Sequence, residues 1–166
     1  LLLDWIFTRK PRFLGFLTGC VAGLATITPC AGFVSTPSAV IIGILASAAC
    51  YLAVHLKNKA GLDDALDVFG VHGVGGFLGT ILLGVFGTAA MTLPGRDPSL
   101  LASGLVDGHA DLLVKQSVAA CGTAVYAFLF TLLMLWAINK VTTVRVSEKE
   151  ELAGLDMIEH GEEAYV

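Results

Sequence analysis

Long stretches without a charged side chain alternate with short polar segments along this chain. Four of these stretches are long enough for a helix that crosses a bilayer, which needs roughly 20 residues. They comprise residues 13–34, 38–56, 68–93 and 116–139. Lipid offers no hydrogen-bond partner to an open backbone, so helix is predicted even for the glycine-rich first and third stretches. The pattern therefore predicts an all-α, polytopic membrane helix bundle with four complete transmembrane helices.

The composition supports a membrane protein. Hydrophobic residues make up 55% of the chain and charged residues 14%, with a mean hydropathy of +0.79. A soluble domain is only about 45–50% apolar, even when glycine is counted. The net charge is −4, and no continuous basic surface indicates nucleic-acid binding. The four cysteines form no CxxC pair or metal-finger spacing, so we interpret them as free packing thiols.

The two ends of the chain lie outside the four stretches. The opening LLLDWIF is predicted to be the end of a further hydrophobic span, and the chain to be part of a longer protein. It has neither the basic start nor the short apolar core of a signal peptide. Residues 1–146 are interpreted as the membrane domain and residues 147–166 as a polar tail.

Basic residues are distributed unevenly among the loops. If the spans alternate in direction, eight of the ten lie on one side of the membrane: Arg9, Lys10, Arg12, Lys57, Lys59, Lys140, Arg145 and Lys149. Arg96 and Lys115 lie on the other side. Because basic loops favour the cytoplasm, the C-terminal tail is predicted to be cytoplasmic and the third span to run outward.

Glycines at a spacing of four residues indicate close helix packing in two places. Gly15, Gly19 and Gly23 form a GxxxGxxxG stripe, and Gly75 with Gly79 forms a GxxxG pair. Small residues on one helical face let a second helix approach closely in a membrane. Glycine is generally frequent in membrane helices, so the triple is the stronger of the two indications.

A histidine stands near the start of the third span, in the sequence DVFGVHGVGG (67–76). An imidazole in hydrocarbon needs a partner, and such groups usually face a bundle interior or a cavity. A neutral imidazole offers one donor and one acceptor nitrogen, which suits a proton relay. From the residues alone, His72 is equally well explained as a relay group or as a packing histidine bonded to a carbonyl.

Other polar residues have simpler interpretations. His109 and Asp111, in GHAD, could form a small metal or proton site, but a solvated turn or helix start is favoured. Asp63, Asp64 and Asp67 precede or begin the third span, where carboxylates cap free N–H groups and complement the helix dipole. This role is favoured for Asp63 and Asp64, whereas Asp67 could also hold a cation near a pore mouth.

Three segments together resemble signatures of one family: AGLATITPCAGFV (22–34), DDALDVFGVHGVGGFLGTILLGVF (63–86) and EELAGLDMIEHGEEAY (150–165). Their order and spacing are similar to the Amt side of the ammonium transporter family (Amt/MEP/Rh). The resemblance covers nearly the whole chain. It implies the end of span seven, spans eight to eleven and the cytoplasmic tail of an eleven-span homotrimeric transporter, without enzymatic turnover or a cofactor.

The resemblance also implies roles for single residues. His72 matches the second of two paired pore histidines, Val68 an apolar lining position, Thr28 a polar residue near the pore, and Asp67 the acid at the inner end of span ten. The family recruits ammonium outside, with methylammonium as an analogue, and passes ammonia and a relayed proton inward. A charged ion would be costly to bring into an apolar conduit, whereas ammonia is neutral. The first pore histidine and the outer recruitment site belong to earlier spans.

The tail contains a helix signal of its own. Ser147 and Glu150 form a capping-box pattern, and Gly154 suits the position just past a helix of about two turns. The resemblance implies that this tail couples neighbouring subunits and that a PII-type signalling protein binds the cytoplasmic face. The candidate coupling residues are Leu152, Gly154, Leu155 and Asp156.

Two other functions remain open alongside ammonium transport. The first is a non-transporting ammonium sensor or regulatory membrane subunit, which a fused signalling domain would support. The second is a gas or proton channel with an Rh-like substrate range, which a comparison of methylammonium and carbon dioxide fluxes would distinguish.

Overall fold

The computed structural model describes residues 1–91 and 102–163. Its α-helices are α1 (Leu2–Thr8), α2 (Phe13–Ile27), α3 (Thr36–Lys59), α4 (Val74–Phe86), α5 (Asp111–Ile138) and α6 (Glu148–Ala153). Four helical segments are long and apolar enough to cross a membrane: Phe13–Cys30, Thr36–Lys59, Phe69–Phe86 and Asp111–Ile138. The predicted all-α bundle with four spans is confirmed. Arg96 and the last two residues of the third predicted span lie outside the described residues.

The first and third spans are shorter than predicted. The span predicted for 13–34 leaves the α-helix after Ile27 and continues as a 3₁₀ turn over Thr28–Cys30. Proline at the start of this turn has no N–H to donate, and its ring crowds the preceding turn, so the α-helix cannot continue through it. The third span begins with a π turn, Phe69–Gly73, and its α-helix ends at Phe86.

The second and fourth spans are longer than predicted, because a charged residue does not end a helix at a membrane surface. Ser35 caps α3 by accepting the N–H of Ser38 at 3.4 Å. The helix then runs past the predicted end at residue 56, so Lys57 is helical and the interpretation of it as a loop residue is wrong. Helix α5 likewise begins at Asp111 and includes Lys115. Long basic side chains can carry their charge to the interface from within the helix.

Backbone contacts divide the chain into two compact units, Leu1–Gly122 and Thr123–Val166. In the first unit, α2, α3 and α4 pack against one another around two small groups of buried side chains. One group contains Cys30, Ile42, Leu82, Leu83 and Ala102, and the other contains Ala22, Cys50 and Val71. All four cysteines are free; Cys30 and Cys50 are buried packing thiols, as predicted, whereas Cys20 and Cys121 are exposed.

Helices α2 and α4 cross closely at the glycine pair on α4. A Cβ atom added to Gly79 would collide with the carbonyl oxygen of Thr26, and one added to Gly75 would lie 2.9 Å from the Thr26 hydroxyl. Thr26 is fully buried and donates to the carbonyl of Ala22 at 2.9 Å. By contrast, no described atom lies within 4 Å of a Cβ added to Gly19 or to the third member of that triple. A Cβ added to Gly15, the first member of the triple, would collide with the Asp4 side chain. Among the described residues, the pair on α4 therefore makes the backbone crossing, and the predicted role of the triple stays a prediction.

The second unit contains the predicted tail helix. The Ser147 hydroxyl accepts the N–H of Glu150 at 3.4 Å, and the Glu150 carboxylate accepts the N–H of Ser147 at 2.7 Å. Helix α6 ends before Gly154, which has a φ of 101° in a region that L side chains rarely adopt. The capping box and the glycine end of this helix are confirmed.

We expect Ser147→Ala to open the first turn of α6. Loss of a serine cap should increase amide hydrogen exchange of residues 148–151 about fivefold, because the N–H of Glu150 loses its acceptor.

Hydrogen bonds from the Ser147 hydroxyl and backbone N–H hold the pKa of Glu150 below its ordinary value of 4.5. The capping box therefore stabilises α6 fully above pH 4.5, and this stabilisation is lost as the pH falls through the lowered pKa of Glu150. Exchange mass spectrometry, corrected for intrinsic rates, measures both effects; Ser147→Asp should retain protection at pH 7, and equal protection in Ser147→Ala contradicts the prediction.

Candidate functional site

The segment that carries His72 begins with a capped helix start. The Asp64 carboxylate accepts the N–H of Val68 at 2.9 Å and the N–H of Phe69 at 3.0 Å. These amides lie at the start of the π turn and have no carbonyl one turn earlier within the helix. The prediction that Asp64 is a cap is confirmed. π turns inside α-helices are rare and frequently occur at functional sites.

The π turn and α4 have one packed face and one open face. On the packed face, Gly70 and Val71 are buried, and a Cβ atom added to Gly70 would lie 2.7 Å from the Val54 side chain. On the open face, Val68 is 50% exposed and His72 is also exposed. The structure therefore places these two predicted pore residues together on a surface that α2 and α3 leave uncovered.

Asp67, the third predicted residue of this segment, is part of an ion pair that the sequence did not reveal. Its carboxylate lies 2.6 Å from the ammonium group of Lys57. The same ammonium group donates to the backbone carbonyl of Asp64 at 2.5 Å. The cation beside Asp67 is thus the Lys57 side chain of α3. This side chain is only 7% exposed.

Helix periodicity could have identified Lys57. The buried residues of α3 are Ile42, Ala46, Cys50 and Lys57, which follow one another at helical spacing along a single stripe. Lys59 lies off this stripe and is exposed. Extending the apolar stripe to its first charged member is the sequence signal that distinguishes the two lysines.

Asp67 also borders a cavity of about 350 Å³ in the first unit, next to α1, α2 and α3. Its lining includes polar side chains, such as Asp4 and His55, and apolar ones, such as Leu14 and Val54. The carboxylate of Asp67 is 28% exposed, so it reaches this space while it pairs with the buried lysine.

Thr28 lies at a different level of the bundle from His72. Its hydroxyl donates to the carbonyl of Leu24 at 2.7 Å, and its side chain is exposed. In the same 3₁₀ turn, the Cys30 thiol donates to the carbonyl of Gly79 at 3.2 Å. Gly79 is seven residues beyond His72, which corresponds to roughly 10 Å along a helix. Thr28 and His72 are therefore candidates for different positions along one path.

The GHAD segment is a turn followed by a helix start. Asp107, just before it, accepts the N–H of Ala89 at 2.9 Å and the hydroxyl of Thr88 at 2.8 Å. These two hydrogen bonds lower the pKa of Asp107 from its ordinary value of 3.8. Asp111 begins α5, so the helix-start interpretation is confirmed. Among the described residues, no group of three potential ligands is arranged to hold a metal ion.

The candidate coupling residues lie together where α6 ends. Leu152 is 83% exposed and Leu155 is 45% exposed, so both present apolar surface. A Cβ atom added to Gly154 would lie 2.8 Å from the carboxylate of Asp156. Asp156 begins a second π turn, Asp156–His160.

Four apolar spans, a close glycine crossing and an interrupted third span define a polytopic helical membrane protein. The sequence matches the Ammonium Transporter Family over residues 1–165. The chain belongs to this family, which confirms the resemblance described above.

Several known proteins are similar to this chain. It is 43% identical to the ammonium transporter of Bacillus subtilis and 39% identical to the ammonium transporter Amt1 of Archaeoglobus fulgidus, each over 99% of this chain. The chain spans 40% of the length of either relative. The crystal structure of Candida albicans Mep2 matches with a TM-score of 0.83 and 34% identity, covering 96% of this chain and 35% of that one. Saccharomyces cerevisiae Mep2 matches with a TM-score of 0.81 at 33% identity.

Proposed function

We propose that this chain forms the C-terminal part of an ammonium transporter. Its similarity to ammonium transporters over nearly its whole length, in sequence and in fold, carries this proposal. The relatives are about two and a half times longer, since the chain spans 40% of them. The open face of the π turn and α4 is where we expect the remaining spans to pack and to complete the pore.

The proposed mechanism conducts ammonia and its proton separately. We assign His72 to the inner part of a pore histidine pair, in which each imidazole accepts a proton on one nitrogen and donates one from the other. Val68, one turn earlier, would line the apolar conduit that neutral ammonia crosses. Thr28 would lie farther along the pore wall. Asp67, at the inner end, would face the conduit mouth while it pairs with Lys57.

The proposed orientation places the C-terminal tail in the cytoplasm. If the spans alternate in direction, eight of the ten basic residues then lie on the same side of the membrane as the tail. Loops with this excess of lysine and arginine are retained on the cytoplasmic side. We further propose a homotrimer, with a PII-type protein as the partner at this face.

Transport by the complete gene product in proteoliposomes tests the proposed function. Labelled methylammonium should accumulate inside the vesicles, and ammonium should generate a current. Saturable ammonium binding without either flux would instead identify a sensor. A carbon dioxide flux without methylammonium uptake would identify a gas channel.

We expect Gly154→Asp to lower methylammonium uptake by about fivefold or more, a usual size for coupling between sites. The new side chain requires a strained φ and brings a second carboxylate next to Asp156. Gly161→Asp is the matched control, because its φ is 68° and no described atom lies within 4 Å of an added Cβ. Both variants should remain trimeric in size-exclusion chromatography with light scattering. Wild-type uptake by Gly154→Asp contradicts the coupling role.

A further inference from the structure

Lys57 is held in a way that is unusual for lysine. Lysine is almost never fully buried unless its charge is paired, and this side chain is only 7% exposed. Its ammonium group contacts the carboxylate of Asp67 at 2.6 Å and the carbonyl of Asp64 at 2.5 Å. One cation thus joins the end of α3 to two residues of the segment that leads into the π turn.

Both of these residues determine how the π turn begins. Asp67 has a φ of 55°, a left-handed conformation that is uncommon for residues other than glycine. The carbonyl of Asp67 also accepts the N–H of Val71 at 2.9 Å. The Asp64 carboxylate caps the amides of Val68 and Phe69. Lys57 therefore stabilises both the unusual backbone conformation and the residue that caps the turn.

Helix α3 contacts the π turn at further levels along the same stripe. Val54, one turn before Lys57, packs against Gly70, and the Cys50 thiol donates to the carbonyl of Val71 at 3.9 Å. These contacts hold the side of the turn opposite His72. With the ion pair at one end, they determine the rotation of the turn about its axis and hence the direction of the imidazole.

We infer that Lys57 is a positioning residue for His72. Through Asp67 and Asp64 it fixes the left-handed start of the π turn, which holds the imidazole toward the open face. The inference rests on the proposed function, because it assigns Lys57 an effect on conduction through His72. It does not require Lys57 to touch ammonium or ammonia.

Transport kinetics of Lys57→Met and Asp67→Asn test this role in the complete gene product. A misplacement of about 1 Å can cost up to about a hundredfold in rate, so we expect a maximal methylammonium uptake at least tenfold lower in each variant. The KM should change less than twofold, because neither residue recruits the substrate outside. The double variant should lose no more than the single variants, because they break the same contact. Lys59→Met, on the same helix but exposed, is the control and should retain the wild-type rate.

The imidazole ¹⁵N resonances of His72, assigned by comparison with His72→Ala, supply a readout that fold stability does not change. Lys57→Met should shift these resonances, and Lys59→Met should leave them in place. A lower rate with unshifted His72 resonances overturns the positioning role, as does a wild-type rate. If Lys57→Met does not assemble, Asp67→Asn decides in the same way, because asparagine tolerates the left-handed conformation.

His72→Ala separates the two levels of the proposal. If this variant transports normally, the proposed function of the histidine fails, whatever Lys57 does. If it is inactive while Lys57→Met and Asp67→Asn retain full rate and an unshifted His72, only the positioning role fails.

Discussion

Replacing His72 by alanine is expected to lower the ammonium-driven current about a hundredfold, the lower range for loss of a positioned acid–base group. Alanine leaves a gap in the proposed relay, and no other group on that turn can accept and donate a proton. Selectivity for ammonium over potassium should fall as well, because discrimination would no longer depend on removal of a proton. Solid-supported membrane electrophysiology of proteoliposomes, with both ions, measures the two effects.

The control for this prediction is His109→Ala. That histidine lies in the turn before α5, next to Asp107, and has no role in the proposed relay. The His109→Ala variant should therefore conduct ammonium at the wild-type rate. If His72→Ala also keeps the wild-type current and ion selectivity, the relay assignment is wrong, although the family membership is unaffected.

Gly79→Ala is expected to destabilise the bundle by about 1–3 kcal/mol, the usual cost of overpacking a tight core. Its new methyl group would collide with the backbone carbonyl of Thr26, which cannot turn aside as a flexible side chain would. Helices α2 and α4 must then separate. The midpoint of thermal unfolding in detergent should fall accordingly.

Gly76→Ala is the matched control on the same helix, since no described atom lies within 4 Å of an added Cβ there. It should unfold at the wild-type temperature or slightly above, because alanine has the higher helix propensity. Gly23→Ala, from the glycine triple, should behave like Gly76→Ala. Equal destabilisation at all three positions would contradict a specific crossing at Thr26.

Local sequence signals predicted the features that depend on neighbouring residues. Asp64 as a cap, the capping box of Ser147 with Glu150, and the glycine end of α6 each involve residues a few positions apart. Hydrogen-bond demand at a helix terminus acts over about one turn, so the sequence alone carries this information. The helix boundaries were less accurate, because absence of charge marks the lipid-facing length rather than the end of the helix.

Contacts between segments far apart in the sequence could not be predicted from local patterns. Two glycine patterns are alike in the sequence, and the longer one predicts the stronger packing. Of these two patterns, the pair at Gly75 and Gly79 is the one that meets the backbone of another helix among the described residues, because the direction of a helix face depends on where its neighbours lie. Helix periodicity places Lys57, and not Lys59, on the buried stripe of α3, but it does not show that Lys57 meets Asp67, which belongs to another segment.

The sequence by itself determined that this protein is an all-α membrane bundle, because apolar length and the demand for internal hydrogen bonds leave few alternatives in lipid. The resemblance of its three signature segments separately indicated the ammonium transporter family. The tertiary structure decided which residues lie next to one another. It placed His72 on the open face of a π turn and attached the start of that turn to a buried lysine. Such pairings depend on the rotation and depth of packed helices, which are set by contacts across the bundle and not by the order of residues along any one helix.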